Sequence, residues 1–175
     1  MKKFIIIAAL LFCVSAYAFD EDTAETSGDV MRVLIPLATY SATFYNHDAE
    51  GRVQFYKSFF TNAGVSYGLK SVIKKDRPDD SGDDAFPSGH ASMAFQSAVF
   101  LQKRYGLSYG LPAFAAAAYT SWTRVYADKH DVGDVMAGAA IGTVSALFFT
   151  TEYKGAVITP VADAHSLGIS LTRKW

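Results

Sequence analysis

The sequence predicts an all-α protein, a single helical bundle of about five to six helices. Three observations predict it. Apolar residues recur at helical spacing between Gly51 and Lys74, at Val53, Phe55, Tyr56, Phe59, Phe60, Ala63, Val65, Tyr67, Leu69, Val72 and Ile73. Small residues gather where helices would have to approach closely, in the run Ala115 to Ala118 and at Gly133, Gly138 and Gly142. Prolines and glycines fall between the apolar segments, and strand-like alternation shows only in the last stretch, Gly168 to Trp175. At 175 residues the chain has room for one domain with a real core.

Taken in order, residues 1–18 read as a secretory signal peptide. Lys2 and Lys3 precede an apolar run of 11 residues, Phe4 to Val14, too short for a membrane helix. Ala16-Tyr17-Ala18 then offers small residues at signal-peptidase spacing, so Phe19 is the expected mature start, with an uncleaved anchor as the alternative. Cys13, the only cysteine, lies in this segment, and bulky Phe12 before it argues against lipidation. The mature chain therefore has no disulfide framework. Residues 19–29 are an acidic lead-in expected to be mobile. The helical domain is expected over residues 30–152. Its first helix, Val30 to Asn46, should kink or restart near Pro36. Gly51 to Lys74 is the second, followed by a loop from Asp76 to Pro87. The third starts at Ser88 or Gly89 and ends at Lys103 or Arg104; Gly106 to Pro112 breaks the chain before a fourth, Ala113 to Val125. The fifth runs from about Asp131 to Thr150, and residues 153–175 form a C-terminal tail or small strand on the bundle.

Charge narrows the partners. Removing residues 1–18 takes away two lysines and no acid, leaving 14 basic against 17 acidic residues. No basic field exists to hold nucleic acid, and the cations that matter are local. Uncharged runs span Val33 to Asn46, Gly89 to Gln102, Gly106 to Thr123 and Val135 to Thr151, of 14, 14, 18 and 17 residues. They fall short of the ~20 residues of a comfortable span. This favours an exported, periplasmic or envelope-associated bundle, with a membrane surface as a candidate partner and an integral membrane protein as the alternative.

Three short blocks carry the chemistry. They are Lys70 to Arg77-Pro78, Pro87-Ser88-Gly89-His90, and Thr123-Arg124 through His130 to Asp134. Lys70, Arg77 and Arg124 can hold a phosphate dianion, arginine through its planar fork and lysine as a point charge. Pro78 biases Arg77 out of helical geometry. Ser88 and Gly89 open a helix whose free N–H groups form a natural anion site, and Gly89 lets an oxygen approach the backbone. His90 follows in the first turn. His130 and Asp134 are four apart, so a helix already begun there would put both on one face, the carboxylate fixing the ring tautomer.

These blocks resemble the type-2 phosphatidic acid phosphatase superfamily, which also contains bacterial acid phosphatases and vanadium haloperoxidases. The family pattern is Lys-x6-Arg-Pro, Pro-Ser-Gly-His and Ser-Arg-x5-His-x3-Asp; this chain matches all three in order, with Thr123 in place of the serine. The resemblance implies an acid phosphatase/haloperoxidase-like bundle and a phosphatase acting on phosphomonoesters, with lipid phosphates and isoprenyl pyrophosphates as candidate substrates. It implies His130 as a nucleophile forming a phosphohistidine, Asp134 as its orienting carboxylate, and His90 as the acid that protonates the leaving alcohol and then activates water. Lys70, Arg77, Ser88, Gly89 and Arg124 would bind the phosphoryl oxygens. No cofactor is implied, and the cations make a metal unnecessary.

Plainer readings exist for each part. His130 and Asp134 alone read as a helix salt bridge, Lys70 and Arg77 as a solvated helix end, Ser88 as an N-cap, and Arg124 as a partner of Asp128 or Asp131. His47 and His165 fit no block. The aspartates at 79, 80, 83 and 84 lack calcium-loop spacing and read as a solvated loop; Lys74 and Lys75 read as solvent-facing, with attraction of an anionic substrate as the alternative. Phe55, Phe59 and Phe60 read as core. The rival functions are a vanadium-dependent haloperoxidase, a non-catalytic anion-binding envelope protein and a His/Asp metal site.

Overall fold

The computed structural model describes residues 20–162 and 167–173. Its order is α1 (Glu21–Tyr45), α2 (Ala49–Val72), α3 (Gly89–Tyr105), α4 (Leu107–Tyr126), α5 (Val132–Phe149), then β1 (Ala156–Ala162) and β2 (Leu167–Arg173). The all-α bundle is borne out, with five helices among the described residues and a two-stranded antiparallel hairpin added at the C-terminus. The hairpin pairs Ala156 with Arg173 and Ala162 with Leu167, so the tail pairs with itself. The proposed signal peptide lies outside the described residues.

Several boundaries differ from expectation for identifiable reasons. The acidic stretch read as a mobile lead-in is helical from Glu21: Asp20 caps it by accepting from Thr23 N, and Glu21 and Asp22 complement the positive end of the helix dipole. The helix continues through Pro36 without a break. α2 stops at Val72, so the chain leaves the helix at Ile73, five residues before Pro78. The break expected over residues 106–112 is a single residue. Gly106, at φ 98°, ends α3 and begins α4, and Pro112 is carried inside α4. Gly110 then packs against Gln102, whose Cα would lie 2.9 Å from an added Cβ.

α3 is the central helix, with all four other helices around it. It can be buried on every side because it is built of small side chains: Ala91, Ala94 and Ala98 are fully buried, as are Ser92 and Ser97. Its buried polar atoms find partners. Gln96 Nε2 donates to Ser58 Oγ of α2 (2.7 Å), and Ser66 Oγ donates to Ser92 Oγ (3.2 Å). α5 approaches α3 backbone to backbone at Gly138 and Gly142. A Cβ at Gly142 would overlap the Ser92 carbonyl oxygen and stand 2.8 Å from Gln96 N. The apolar core continues through Ile35, Phe55, Val99, Phe100, Ala117 and Ala146, with Phe55 edge-on to Phe100 at 5.3 Å. Phe55 and Phe59 join this core as expected; Phe60 does not and is 66% exposed.

The end of α3 away from His90 is locked by a buried ion pair. Arg104 forks onto Asp48, Nε to Oδ2 and Nη2 to Oδ1, both 2.7 Å. Tyr105 OH donates to the same carboxylate (2.9 Å), and Arg104 Nη1 donates to Thr151 O (3.0 Å). This joins the α1–α2 turn, α3 and the exit of α5.

Candidate active site

Local folding places each block. Lys70 rides the last turn of α2. The loop after it folds back on itself: Ala85 N donates to Lys75 O (2.9 Å) and Arg77 N to Gly82 O (2.8 Å). That return brings Asp84 against the first block. Arg77 donates to Asp84 Oδ1 through Nε (2.9 Å), and Lys70 Nζ donates to the Asp84 carbonyl oxygen. Asp84 is therefore a partner of site cations; Asp79 pairs with Lys129 at 2.7 Å, and Asp83 with Lys74 at 3.2 Å on the exposed side of the loop.

The second block starts α3. Ser88 is its N-cap, its Oγ reached by Ala91 N at 3.5 Å, and its side chain is fully buried. Gly89 faces Lys70, whose Cε would be 4.0 Å from an added Cβ. His90, nearly buried, places Nε2 2.6 Å from Asp29 Oδ1 of α1.

In the third block the helix begins later than the four-residue spacing assumes. α5 starts at Val132 with Asp131 as N-cap, so His130 stands in the turn just before it. Asp131 and Asp134 form a reciprocal capping box, Asp134 N donating to Asp131 Oδ1 (3.0 Å) and Asp131 N to Asp134 Oδ2 (3.1 Å). His130 and Asp134 still meet, Nδ1 to Oδ2 at 3.9 Å, an ion-pair distance rather than a hydrogen bond. The fully buried Asp134 carboxylate instead takes Lys75 Nζ at 2.6 Å. Lys75, read as solvent-facing, is thus a site residue; Lys74 is exposed. Arg124, buried at the end of α4, pairs with Asp29 (3.2 Å) and Glu25 (3.8 Å) rather than with Asp128 or Asp131. Thr123, the departure from the family pattern, turns its hydroxyl to the Thr120 carbonyl (2.8 Å), against Gly28.

The three blocks meet at one end of the bundle. Ser88 N donates to Asp134 O (2.9 Å), Gly89 sits beside Lys70, and Asp29 bridges His90 to Arg124. Two buried polar atoms with no hydrogen-bond partner, Arg124 Nε and His130 Nδ1, belong to this cluster. Burial foremost, then the Lys70 charge, pushes His130 down from 6.5 to about 4, although a hydrogen bond with the Ala85 backbone works the other way. His90 is also held below its ordinary value, by burial and then by Arg124, with Asp29 opposing. Lys70 is lowered chiefly by burial, while Asp84 stays ionised because Lys70 and Arg77 outweigh its desolvation. The result is a cluster in which Lys70, Lys75, Arg77 and Arg124 each face a carboxylate and both imidazoles are held below their ordinary values. No group of three or more His, Cys, Asp or Glu able to hold a metal occurs among the described residues.

Four residues of this site escape sequence reasoning. Lys75 lies within the first block and Asp84 in the loop after it, where the run of lysines and aspartates gives no sign of which will turn inward. Asp29 and Arg32 lie on α1 with no motif around them. Arg32 donates to Tyr67 OH (3.0 Å), and its charge reaches both His90 and Lys70.

Comparison with known proteins gives the family of the chain. The model of the PAP2 superfamily matches residues 52–156, which hold all three blocks. The lipid A 4'-phosphatase of Helicobacter pylori is 35% identical over 141 residues, covering 74% of this chain and 71% of that protein. A lipid A 1-phosphatase of the same organism is 26% identical over 144 residues, covering 78% and 72%. Among solved structures, Aquifex aeolicus LpxE superposes with a TM-score of 0.64 at 20% identity, over 77% of this chain and 87% of that one. The transmembrane PAP2-type phosphatidylglycerolphosphate phosphatase of Bacillus subtilis gives 0.54 at 22% identity, over 83% and 91%. The chain belongs to the PAP2 superfamily, as a phosphomonoester hydrolase on a helical bundle.

Proposed function

We propose that this enzyme removes a phosphate monoester from a lipid headgroup at a bilayer surface, by way of a phosphohistidine on His130. The observation that carries the reading is the convergence of His90, His130 and Asp134 on one cluster of cations at the end of the bundle. The similarity to lipid A phosphatases makes a phosphorylated glucosamine lipid the first substrate class to test.

In the first half-reaction an unprotonated ring nitrogen of His130 attacks phosphorus. The N–P bond forms as the P–O ester bond breaks, and His90 gives its proton to the departing alcohol oxygen. Lys70, Arg77 and Arg124, with the N–H groups that open α3, hold the three non-bridging oxygens as charge redistributes. Asp134 balances the positive charge that His130 acquires; its own burial is tolerated because Lys75 and the capping box already satisfy it. In the second half-reaction water attacks phosphorus, His90 takes the proton of that water, and the N–P electron pair returns to His130. A depressed His130 keeps the nucleophile unprotonated at neutral pH.

The bilayer placement rests on the outer faces of the bundle. One described helix, α5, is long and apolar enough to cross a membrane. Exposed apolar side chains continue around the bundle, with Met136 and Phe148 on α5, Leu37 and Phe44 on α1, Phe60 on α2 and Leu111 on α4. An exported, envelope-facing enzyme fits the expected signal peptide. The test is phosphate release in detergent micelles from soluble nucleotides, phosphatidic acid, phosphatidylglycerophosphate, undecaprenyl pyrophosphate and phosphorylated lipid A, with and without chelator. Preference for amphiphilic monoesters, unaffected by chelator, supports the reading. Halide oxidation with added vanadate and no phosphate release would replace it with the haloperoxidase reading.

A further inference from the structure

The geometry points to Asp29 as the positioning residue for His90: its carboxylate holds Nε2, so that the ring exchanges its catalytic proton with substrate and water through Nδ1. This rests on the phosphatase reading above and adds a residue that none of the three blocks contains. Asp29 is 61 residues from His90 and 95 from Arg124 in sequence, yet one oxygen, Oδ1, reaches both, at 2.6 and 3.2 Å. The fold makes a specific provision for this. α1 comes down on α4 at Gly28, where any Cβ would overlap Thr123 Oγ1 and stand 3.3 Å from Arg124 Cδ. The residue after that glycine is the one delivered between the guanidinium and the imidazole.

Such a bridge has a chemical use. His90 must carry a proton when the ester bond breaks, and the cations facing it, Arg124 and Arg32, both oppose that. Asp29 is the acidic group that faces the ring and favours its charged form. It accepts Nε2–H throughout, so no proton moves to the carboxylate. Nδ1–H passes its proton to the leaving oxygen, and Nδ1 recovers one from the attacking water. Because Asp29 is more than half exposed, it performs this role without the desolvation cost of a buried acid. Arg124 is fixed by the same oxygen, which ties the acid's position to that of a phosphate-holding group.

The experiment compares Asp29→Asn, His90→Ala and the double variant with wild type, on two esters in the same micelles. One is an alkyl phosphate, whose leaving alkoxide needs a proton. The other is 4-nitrophenyl phosphate, whose leaving group does not. The kcat/KM value isolates the first half-reaction. Asp29→Asn should lower kcat/KM about 100-fold for the alkyl ester and less than about 5-fold for the aryl ester, the loss expected when a general acid is disabled. In the His90→Ala background Asp29→Asn should change either value by no more than about 2-fold, because the two act as one unit. Equal losses on both esters, or an undiminished loss without His90, would overturn the assignment and leave Asp29 as a holder of Arg124. A gain in kcat/KM would overturn it too, by showing that the carboxylate occupies the seat of the phosphate. Wild type releasing phosphate from neither ester would sink the phosphatase reading itself, and this inference with it.

Discussion

Gly138→Ala tests whether the backbone contact between α5 and α3 sets the spacing of the catalytic groups. An alanine Cβ there would overlap the Ser88 carbonyl oxygen and stand 3.2 Å from the Ser88 carbonyl carbon and 3.3 Å from Ser92 N. The overlap is roughly 1 Å inside the ~3.3 Å that a carbon–oxygen contact allows. The obstructing atoms are helix backbone, so no side chain can rotate away, and α5 has to move. Ser88 also donates to Asp134 O, so the displacement falls where the second and third blocks join. Overpacking of this kind costs about 1–3 kcal/mol. A misplacement of about 1 Å between reacting groups costs about 100-fold in rate. The assay is kcat on an amphiphilic monoester at saturation, with a urea unfolding curve alongside. The expected result is a loss of about 100-fold in kcat in a protein that still unfolds cooperatively. Gly68→Ala is the control: nothing lies within 4 Å of its Cβ, and the substitution should stabilise α2 by about 0.5–1 kcal/mol with kcat unchanged. A Gly138→Ala enzyme within about 3-fold of wild type would refute the reasoning, since α5 would then have yielded without disturbing the site.

Two further outcomes follow from the same structure. Because His130 is depressed from 6.5 to about 4, the acid limb of kcat/KM, where the nucleophile takes a proton, should lie near pH 4; a limb near 6.5 would show an imidazole that is not desolvated. The same shift destabilises the fold in acid. Above 6.5 neither state holds this proton and between 6.5 and about 4 only the unfolded chain does, so the His130 contribution should fall by about 3 kcal/mol across that window, and the depressed His90 adds to the loss. Urea unfolding at pH 7 and pH 4.5 reads this directly. Arg104→Ala leaves Asp48 buried without its fork and should cost about 3–5 kcal/mol. The α-helical rise puts this pair about 20 Å from His90 along α3. Activity per folded molecule should therefore be unchanged, and a selective loss of kcat would show that the lock communicates with the site.

The fold and the motif residues were legible for different reasons. Helical periodicity and small-residue runs report packing directly, so the five helices could be read, as could the close approach at Gly138 and Gly142. Gly133, in the same series, meets only the side chain of its own cap, Asp131, because helix–helix contact begins further along. Spacing within a block fixed which cations and imidazoles to consider, but not how they are held. Whether His130 shares a helix with Asp134 was open in the sequence; Asp131 takes the cap and leaves the histidine in the turn, a choice between two adjacent residues that either could win. The acidic residues 21–29 look disordered by composition, yet they fold because Arg124 and Lys129 offer them partners about 100 residues away in sequence. Long-range ion pairs of this kind leave no periodic trace, which is why Asp29 and the Lys75–Asp134 pair could not be read from the sequence.

The account turns on the claim that His130 becomes covalently phosphorylated. Acid-labile, base-stable phosphate bound to the protein should be trapped by rapid quenching of wild type during turnover of a radiolabelled monoester, and peptide mapping should place it on His130. His130→Ala should retain no label and release no phosphate, while a His90→Ala enzyme given 4-nitrophenyl phosphate, whose leaving group needs no proton, should accumulate it. Label that persists in His130→Ala, or turnover by wild type with no trapped phosphate at any quench time, would contradict the account.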